Sequence, residues 1–256
     1  MTTRVIKLGG RAQGDPRLPG LVATAARAVG TRIVIVHGGG DEVSAMQRRL
    51  GLEPTFIGGR RVTSDADLEI VRMLLSGTVN KRIVAQLAAA GARAVGVSGE
   101  DGGLLTARVG DAALGRVGRD VAADPALLDH LLDGGWLPVV SPLAREAGGT
   151  GGLNVNGDDA AAAIATALEA DELLFVADVD GVREDGHRVP RLDPDGIREL
   201  AARGVAQGGM LAKLEAALSA LAGGVQRVRV ASLDAIAHPT LGTTIARTVH
   251  ASEDHQ

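Results

Sequence analysis

Cysteine is absent from this chain, and aromatic residues are scarce. The 256 residues include one tryptophan, two phenylalanines and no tyrosine, so aromatic side chains make up 1% of the sequence. Without cysteine there is no disulfide framework, no cysteine-based zinc site and no thiol nucleophile. The lack of aromatic rings also removes the stacking platforms that single-strand nucleic-acid-binding proteins use. The core must therefore be built from valine, leucine, isoleucine and alanine.

The sequence also lacks a positive charge excess and long apolar runs. Its net charge of −4 provides no basic surface for a nucleic acid. No apolar run reaches membrane-spanning length, and the N-terminus lacks the apolar core of a signal peptide. We therefore expect a soluble cytoplasmic protein that binds neither nucleic acid nor membrane. Its length allows one large α/β domain or two closely joined lobes.

Lysine is the scarce cation. Among 27 basic residues only three are lysine, namely Lys7, Lys81 and Lys213. A compact ammonium on a flexible stem can follow a moving phosphoryl group in a way that the planar guanidinium of arginine cannot. These three positions are therefore the first candidates for chemistry.

Strand-like and helix-like segments alternate along the chain. β-Branched apolar runs predict strands at 4–8, 31–36, 94–98, 136–141, 173–176, 225–231 and 242–246. Helical patterns occupy 21–29, 42–50, 67–75, 81–90, 125–133, 160–168, 195–203 and 210–222, and Ser64 or Asp65 starts the third of these helices. Hairpins are predicted at 101–124 and 183–194, a polar loop at 145–152 and a frayed tail at 250–256. The alternation predicts an α/β fold with a parallel sheet covered on both faces, and the glycines of 148–152 suggest a boundary between lobes 1–150 and 151–256.

The first predicted strand ends in a corner suited to phosphate binding. Lys7 brings an ammonium to the carboxyl edge of the sheet, and Gly9 and Gly10 follow it. Without side chains at these two positions, backbone N–H groups can approach an anion closely. For Lys7 alone, the simpler interpretation is a lysine that extends from a strand end into solvent.

The second predicted strand ends in His37-Gly-Gly-Gly40, which has two functional interpretations. It can form an anion cradle from glycine N–H groups, or the oxyanion hole of an esterase. The esterase needs a downstream G-x-S-x-G motif, and the nearest segment, Gly96-Val-Ser-Gly-Glu100, ends in glutamate. The motifs of P-loop kinases, dinucleotide-binding folds and zinc proteases are absent as well.

Polar residues at two further places suggest a small anionic ligand. Arg60-Arg61 lies beside a glycine turn, where a guanidinium can hold a carboxylate through two hydrogen bonds. Asn154, Asn156 and Asp158 alternate just before a helix, so an amide can hold a ligand and an aspartate can position cations. The simpler interpretation is that Asp158 or Asp159 caps that helix.

Lys213 follows a Gly-Gly turn, early in an amphipathic helix. A lysine on a solvent-facing surface is the ordinary explanation. A cation close to a helix N-terminus is unfavourable, however, unless an anion shares the site. Together with Lys7, this lysine could flank a phosphoryl group from two sides.

Taken in order, these motifs resemble those of the amino acid kinase family. The matching segments are Lys7-Leu-Gly-Gly10, His37-Gly-Gly-Gly40, Arg61-Val-Thr63, Asn154-Val-Asn-Gly-Asp158, Asp178-Val-Asp-Gly181 and Gly209-Met-Leu-Ala-Lys213. The resemblance implies a three-layer αβα sandwich around a mainly parallel central sheet. It also implies an N-terminal lobe, 1–150, that binds an amino acid and dimerises, and a C-terminal lobe, 151–256, that binds a nucleotide.

The resemblance also implies roles for individual residues. Lys7 and Lys213 would stabilise the transferring γ-phosphoryl group of ATP, and Asp158 would position both ammonium groups. The residues expected to hold the amino-acid substrate are Gly39, Gly40, Arg61 and Asn154. Those expected at the phosphates and the nucleotide are Gly9, Gly10, Asp178, Gly181, Gln207, Gly209 and Met210. Magnesium would be held through phosphate oxygens, without a metal site made by protein side chains.

The implied reaction is phosphorylation of the side-chain carboxylate of N-acetyl-L-glutamate, giving an acyl phosphate for arginine synthesis. The resemblance implies that arginine-inhibited hexameric members carry an N-terminal helix, for which the six residues before Lys7 are too few, so we expect a homodimer that arginine does not inhibit. Two alternatives stay open. One is a kinase for aminoadipate, N-acetylated or linked to a carrier protein, which differs by one methylene. The other is a regulator that binds nucleotide or amino acid without catalysis.

Two positions depart from the family pattern. Arg11 follows Gly10 where a small or apolar residue is more common, and Asp159 occupies a position where glutamine is common. The first departure concerns the loop after the phosphate corner, and the second adds a carboxylate beside Asp158.

Overall fold

The computed structural model describes residues 1–247, and the predicted tail at 250–256 lies outside them. The strands are β1 (Thr2–Leu8), β2 (Thr31–His37), β3 (Phe56–Ile57), β4 (Arg60–Arg61), β5 (Ala94–Ser98), β6 (Leu105–Val109), β7 (Gly118–Ala123), β8 (Leu137–Ser141), β9 (Leu143–Glu146), β10 (Gly152–Asn154), β11 (Glu172–Val176), β12 (Arg183–Glu184), β13 (His187–Arg188), β14 (Arg191–Leu192), β15 (Arg227–Ala231) and β16 (Thr243–Ile245). The helices are α1 (Leu18–Ala26), α2 (Gly40–Arg49), α3 (Asp65–Arg72), α4 (Asn80–Ala89), α5 (Ala126–Asp133), α6 (Gly157–Ala167), α7 (Pro194–Ala202) and α8 (Gly208–Ala222).

Within residues 1–247, eight strands form the central sheet in the order β14-β16-β15-β11-β1-β2-β8-β5. Every neighbouring pair is parallel except β15 and β16. The strands that precede residue 150 occupy one half of the sheet, and those that follow it occupy the other half. The two halves join where β1 pairs with β11. The predicted parallel sheet is therefore confirmed.

Successive residues of β2 show why helices cover both faces. Val34 and Val36 belong to the core beneath α5, α6, α7 and α8, whereas Ile33 and Ile35 belong to the core beneath α1, α2, α3 and α4. Side chains alternate between the faces of a strand, so a continuous β-branched run supplies two cores at once. The αβα sandwich expected from the resemblance is the observed architecture.

A smaller sheet, in the order β10-β9-β6-β7, lies beside the central one. The hairpin predicted at 101–124 is confirmed by the antiparallel pair β6–β7. The polar loop predicted at 145–152 is wrong in part, because β9 and β10 form an antiparallel hairpin whose turn is 147–151. Backbone pairing there does not require the apolar alternation that marks a buried strand.

Helix boundaries differ from the sequence expectation at two places. Helix α1 starts at Leu18 instead of residue 21, because Pro19 fits the first helical turn, where its missing N–H costs nothing. The helices predicted at 67–75 and 81–90 are joined by a π-helical segment, Met73–Val79. Ser64 starts α3 with a capping box to Asp67.

Candidate active site

Asp158 is the centre of the site because each of its carboxylate oxygens faces a different lysine. Lys7 Nζ lies 2.8 Å from Oδ1, and Lys213 Nζ donates to Oδ2 at 3.1 Å. Lys7 and Asp158 are only 8% and 4% exposed. The bridge thus joins the end of β1, the first turn of α6 and the early part of α8.

The start of α6 leaves the Asp158 carboxylate free for this bridge. Asn156, and neither Asp158 nor Asp159, caps the helix, because its side chain accepts the N–H of Asp158 at 2.8 Å. The capping interpretation of the two aspartates is therefore wrong. Gly157 also matters, since a Cβ there would lie 3.2 Å from Lys7 Cε. The absence of a side chain allows the lysine to pass the helix end.

The electrostatic environment of the bridge favours an added anion. Two ammonium groups face one carboxylate, so the group carries a net positive charge. Burial lowers the pKa of Lys7, Lys213 lowers it further, and Asp158 opposes both effects. Asp158 Oδ1 receives no well-aligned hydrogen bond but lies 2.8 Å from Lys7 Nζ, so the uncompensated charge of the group is positive. Since an uncompensated buried charge is costly, a phosphoryl group that contacts both lysines would offset the excess positive charge.

Gly9 and Gly10 form the corner directly after β1 but differ in their contacts. Gly9 donates its N–H to Val176 O at 2.9 Å, and a Cβ on Gly9 would lie 2.8 Å from that oxygen. Glycine at this position allows close packing of two strand ends. Gly10 precedes the 3-10 turn Arg11–Gly14. Its N–H has no acceptor among residues 1–247, so it is available to a phosphate.

A cavity of about 230 Å3 lies beside the lysine pair. Its polar side is the loop Gly38–Gly40 and the segment Asn154–Gly157, which ends next to Asp158. Helix α2 begins at Gly40, so its N-terminus, the positive end of the helix dipole, borders the cavity. The apolar wall is not predictable from the sequence, because its members look like ordinary core residues: Val43, Val71, Leu75, Val117 and Pro142.

Arg61 lines the cavity but is largely engaged by α2. Its guanidinium donates to Gly40 O and Ser44 Oγ, both at 2.7 Å, and to Gln47 Oε1. It also stacks on Phe56, with Cζ 4.8 Å from the ring centre. Of the five N–H groups that an arginine carries, three are used, so a substrate carboxylate can receive only the remaining donors.

Asn154 and the hairpin β3–β4 complete the cavity. Asn154 donates to Thr63 Oγ1 at 3.1 Å and lines the opening. Arg60 of the hairpin lies 3.6 Å from Asp159 Oδ2, which ties the hairpin to α6. Burial raises the pKa of Asp159, and Asp158 and Glu215 raise it further, whereas Arg60 lowers it.

The predicted nucleotide residues lie outside the cavity, in two groups. Asp178 follows β11 and forms an exposed ion pair with Arg11, 3.6 Å between Nε and Oδ2. Gly181, nearby, has φ 151°, and a Cβ there would lie 2.6 Å from Thr243 Oγ1. Arg11 is therefore a surface residue at the rim of the phosphate corner.

The second group is at the start of α8, which also carries Lys213. Gln207 occupies the N-cap position and donates to Gly204 O at 2.8 Å. Gly209 O accepts a 3.5 Å hydrogen bond from Lys213 Nζ, and Met210 packs against the core. No hydrogen bond or ion pair within residues 1–247 joins this group to Asp178 or Gly181.

Among residues 1–247, no helix is both long and apolar enough to cross a membrane. In the same part of the chain, His, Cys, Asp and Glu side chains form no group of three or more that could hold a metal ion.

Two lysines bridged by a buried aspartate, beside a glycine-lined cavity at the carboxyl edge of a parallel sheet, define a phosphoryl-transfer enzyme. The chain belongs to the amino acid kinase family, whose sequence model matches residues 2–232. It is 47% identical to the acetylglutamate kinase of Chloroflexus aurantiacus over 237 residues, 91% of this chain and 92% of that protein. It is 43% identical to the acetylglutamate kinase of Cereibacter sphaeroides over 228 residues, 88% and 78% of the two chains. The fold is similar to that of smu.665 from Streptococcus mutans UA159, with a TM-score of 0.85, 27% identity and coverage of 96% and 99%.

Proposed function

We propose that this protein is an acetylglutamate kinase. It transfers the γ-phosphoryl group of ATP to the side-chain carboxylate of N-acetyl-L-glutamate, and the acyl phosphate produced serves arginine synthesis. The observation that carries this function is the bridge from Lys7 through Asp158 to Lys213. The two relatives with 43–47% identity have the same activity in their names.

The substrate carboxylate needs no general base, because a carboxylate with a pKa of about 4.3 is already ionised at neutral pH. One of its oxygens forms a bond to the γ-phosphorus while the bond from that phosphorus to the bridging oxygen of ADP breaks. The protein must bring two anions together and neutralise their repulsion. Lys7 and Lys213 provide this charge, and Asp158 prevents the two ammonium groups from moving apart.

The cavity binds the amino acid. Its volume of about 230 Å3 is smaller than the roughly 300–1,000 Å3 typical of sites for drug-sized ligands, and suits an amino acid. Gly39, Gly40, Arg61 and Asn154 hold the polar groups of the substrate. Gly157 lines the cavity and lies close to the side chain of Lys7. The side-chain carboxylate of the substrate points towards this lysine.

The nucleotide binds along the C-terminal half of the sheet. Asp178 and Gly181 contact one side of the nucleotide, and Gln207, Gly209 and Met210 contact its other side. Gly10 contacts the phosphates. Magnesium, when bound with ATP, neutralises phosphate charge and is held mainly by phosphate oxygens.

Residues 1–150 form the amino-acid lobe and the dimer contact, and residues 151–256 form the nucleotide lobe. The protein works as a cytoplasmic homodimer, which sedimentation equilibrium can test.

The test is a coupled assay of ADP release with a panel of acceptors: N-acetylglutamate, N-acetylaminoadipate, glutamate, aspartate and UMP. We expect kcat/KM to be highest with N-acetylglutamate. A preference for N-acetylaminoadipate would show instead a kinase of lysine synthesis. ATP binding without turnover of any acceptor would show a regulator.

A further inference from the structure

A hydrogen-bonded chain of three side chains lies behind the substrate cavity and has no part in the transfer step. Its centre is Asn80, the first residue of α4, which is completely buried. Asn80 Nδ2 donates to Val139 O at 2.8 Å and contacts His37 Nε2 at 3.2 Å. Asn80 Oδ1 lies 3.1 Å from Lys81 Nζ. The hydrogen-bonded series thus leads from the exposed Lys81 to His37, which directly precedes the glycine loop Gly38–Gly40.

The chemistry of the outer partners fixes every donor and acceptor in this chain. The ammonium of Lys81 can only donate, and the backbone carbonyl of Val139 can only accept. The oxygen of the Asn80 amide must therefore face Lys81, and its NH2 must face Val139 and His37. His37 Nε2 must then accept, which places the ring proton on Nδ1. That nitrogen lies 2.7 Å from Gly38 O and donates to it.

The same helical segment also contacts the glycine loop directly. Asn80 follows the π-helical segment Met73–Val79, a kind of insertion that is frequent at functional sites. Gly39 has φ 145°, and a Cβ there would lie 2.6 Å from Leu75 Cδ2 and 3.4 Å from Val79 Cγ2. The loop is therefore held by apolar contact with the π-helical segment and by the hydrogen bond between His37 and Gly38.

We propose that Asn80 is a positioning residue for the substrate: with Lys81 it holds His37 in the Nδ1–H form, and His37 holds the loop Gly38–Gly40 in the shape that binds the amino acid. This inference rests on the proposed function only for the identity of that amino acid. It assigns a role to the third lysine, Lys81, which the transfer step does not use. Replacement of Asn80 or Lys81 should therefore weaken binding of the acceptor amino acid and leave binding of ATP unchanged.

The first measurement needs no variant. Long-range 1H–15N correlation spectra at pH 7 report which imidazole nitrogen of each histidine carries the proton, and the His37 signals are assigned by their loss in His37→Gln. We expect Nδ1 of His37 to be protonated and Nε2 to be bare. A proton on Nε2, alone or together with one on Nδ1, would overturn the assignment.

The second measurement separates positioning from general stability. Asn80→Asp replaces the donor that faces His37 Nε2 with an acceptor, and His37 should then take a proton on Nε2. We expect the KM for the acceptor amino acid to rise about tenfold or more, while the KM for ATP changes less than twofold. Lys81 lies at the exposed end of the hydrogen-bonded series, so Lys81→Met serves as the second variant. It should raise the KM for the acceptor amino acid about threefold.

Ser76→Ala is the matched control, because it removes a 2.7 Å hydrogen bond to Ser141 from the same π-helical segment without touching the loop. It should leave both KM values and the His37 spectrum unchanged. If Asn80→Asp and Lys81→Met behave like Ser76→Ala, or if both KM values rise together, Asn80 has only a structural role. Failure of the wild type to phosphorylate N-acetylglutamate would refute the proposed function alone. The spectra, and KM values for whichever acceptor is active, would still decide the inference.

Discussion

At the scale of single residues, the chemistry depends on a carboxylate held between two ammonium groups. Lysine suits this geometry because three rotatable N–H donors surround a compact charge, so one ammonium can contact Asp158 and a phosphoryl oxygen together. A guanidinium spreads its charge over a plane with fixed donors. Because the two ammonium groups lie 2.8 and 3.1 Å from Asp158, we expect a guanidinium plane in place of one of them to displace Asp158.

Lys213→Arg should therefore keep the charge and lose most of the activity. We expect kcat to fall by about 100-fold or more, since removal of one stabilising donor at a transition state commonly costs this much. The KM values should change little, and the thermal midpoint should stay within a few degrees. Steady-state kinetics measure kcat and the KM values, and a melting curve of the same preparation gives the thermal midpoint. Near-normal kcat would contradict the importance of a compact charge at Lys213.

His37 makes the stability depend on pH. The pKa of His37 is lowered to about 4, mainly by burial; Arg82 and Lys7 also lower it, whereas Gly38 O and Glu42 act in the opposite direction. The unfolded chain takes up a proton near pH 6.5, but the folded protein does not, so stability falls as pH decreases from 6.5 towards 4. The loss is on the order of 3 kcal/mol, from the difference between the two pKa values.

Denaturant unfolding of the wild type and His37→Gln at several pH values tests this contribution. The difference between the two free energies of unfolding should shrink by about 1–3 kcal/mol between pH 7 and pH 4.5. Because the variant retains the carboxylates that titrate in this range, their effects cancel in the difference. A difference that does not change with pH would show that His37 takes up its proton at the same pH in the folded protein as in the unfolded chain.

At the scale of elements, the cavity depends on how closely α2 and the π-helical segment approach each other. Gly39 has a backbone conformation that favours glycine, and Leu75 fills the space a side chain would need. Gly39→Ala should therefore destabilise the protein by about 1–3 kcal/mol and raise the KM for N-acetylglutamate. The KM for ATP should remain unchanged. Denaturant unfolding and steady-state kinetics measure these effects.

Gly20→Ala is the control for that substitution, because Gly20 lies inside α1 with no atom within 4 Å of an added Cβ. It should stabilise the protein by about 0.5–1 kcal/mol, as alanine favours a helix more than glycine does. If Gly39→Ala matched this gain, the loop would not be constrained by Leu75.

The sequence predicts elements best where one local rule decides the outcome. β-Branched runs such as 31–36 give buried strands, and Ser64 with Asp67 gives a helix start. Prediction fails where distant contacts decide. The hairpin β9–β10 includes polar residues, such as Arg145, that pair through the backbone with a distant part of the loop, and the π-helical segment packs against Gly39. Asn156 caps α6, although Asp158 has an equally suitable side chain, because Lys7 and Lys213 hold that carboxylate.

The residues of the candidate site also fall into those that the sequence reveals and those that only the fold reveals. The scarcity of lysine points to Lys7 and Lys213 in the sequence, because a rare residue type is visible without a structure. The apolar wall is not visible in the sequence, since Leu75 and Pro142 look like ordinary core residues until the fold brings distant segments together around one cavity. Arg229 is a further example: its strand indicates only burial, and its role as a completely buried cation appears with its partners.

At the scale of the whole molecule, the two halves of the sheet are joined by β1 and β11 and by a buried ion cluster. Glu172 of β11 lies 2.7 Å from Arg4 of β1 and 2.6 Å from Arg229 of β15. Arg229 also donates to the backbone oxygens of Ala235, His238 and Leu241. The Glu172 carboxylate thus links the neighbouring strands β1, β11 and β15 across the boundary between the two halves of the sheet. It does so at the end of these strands opposite to the end that carries Lys7.

Glu172→Gln should therefore destabilise the whole protein without changing its kinetics. It leaves Arg229 buried beside a neutral amide, which typically costs about 3–5 kcal/mol when a buried pair is broken. For a chain of this length the expected decrease in Tm is about 6–20 °C, at roughly 2–4 °C per kcal/mol. Both KM values should remain unchanged at 25 °C. The exposed pair formed by Glu69 and Arg72 provides the control, because Glu69→Gln should change stability by less than about 1 kcal/mol.

The effect of Glu172→Gln should also disappear in acid. Burial alone would raise the pKa of Glu172, but hydrogen bonds and charge from Arg229 and Arg4 outweigh it and hold the pKa below its usual range. The stabilisation from the ionised group is present above pH 4.5 and is lost as pH falls through the lower pKa of the folded protein. Below that pH the wild-type side chain is protonated and resembles glutamine, so the two melting curves should converge. Curves that stay equally far apart down to the lowest pH at which both proteins fold would show that the variant is destabilised by altered packing and not by the lost charge.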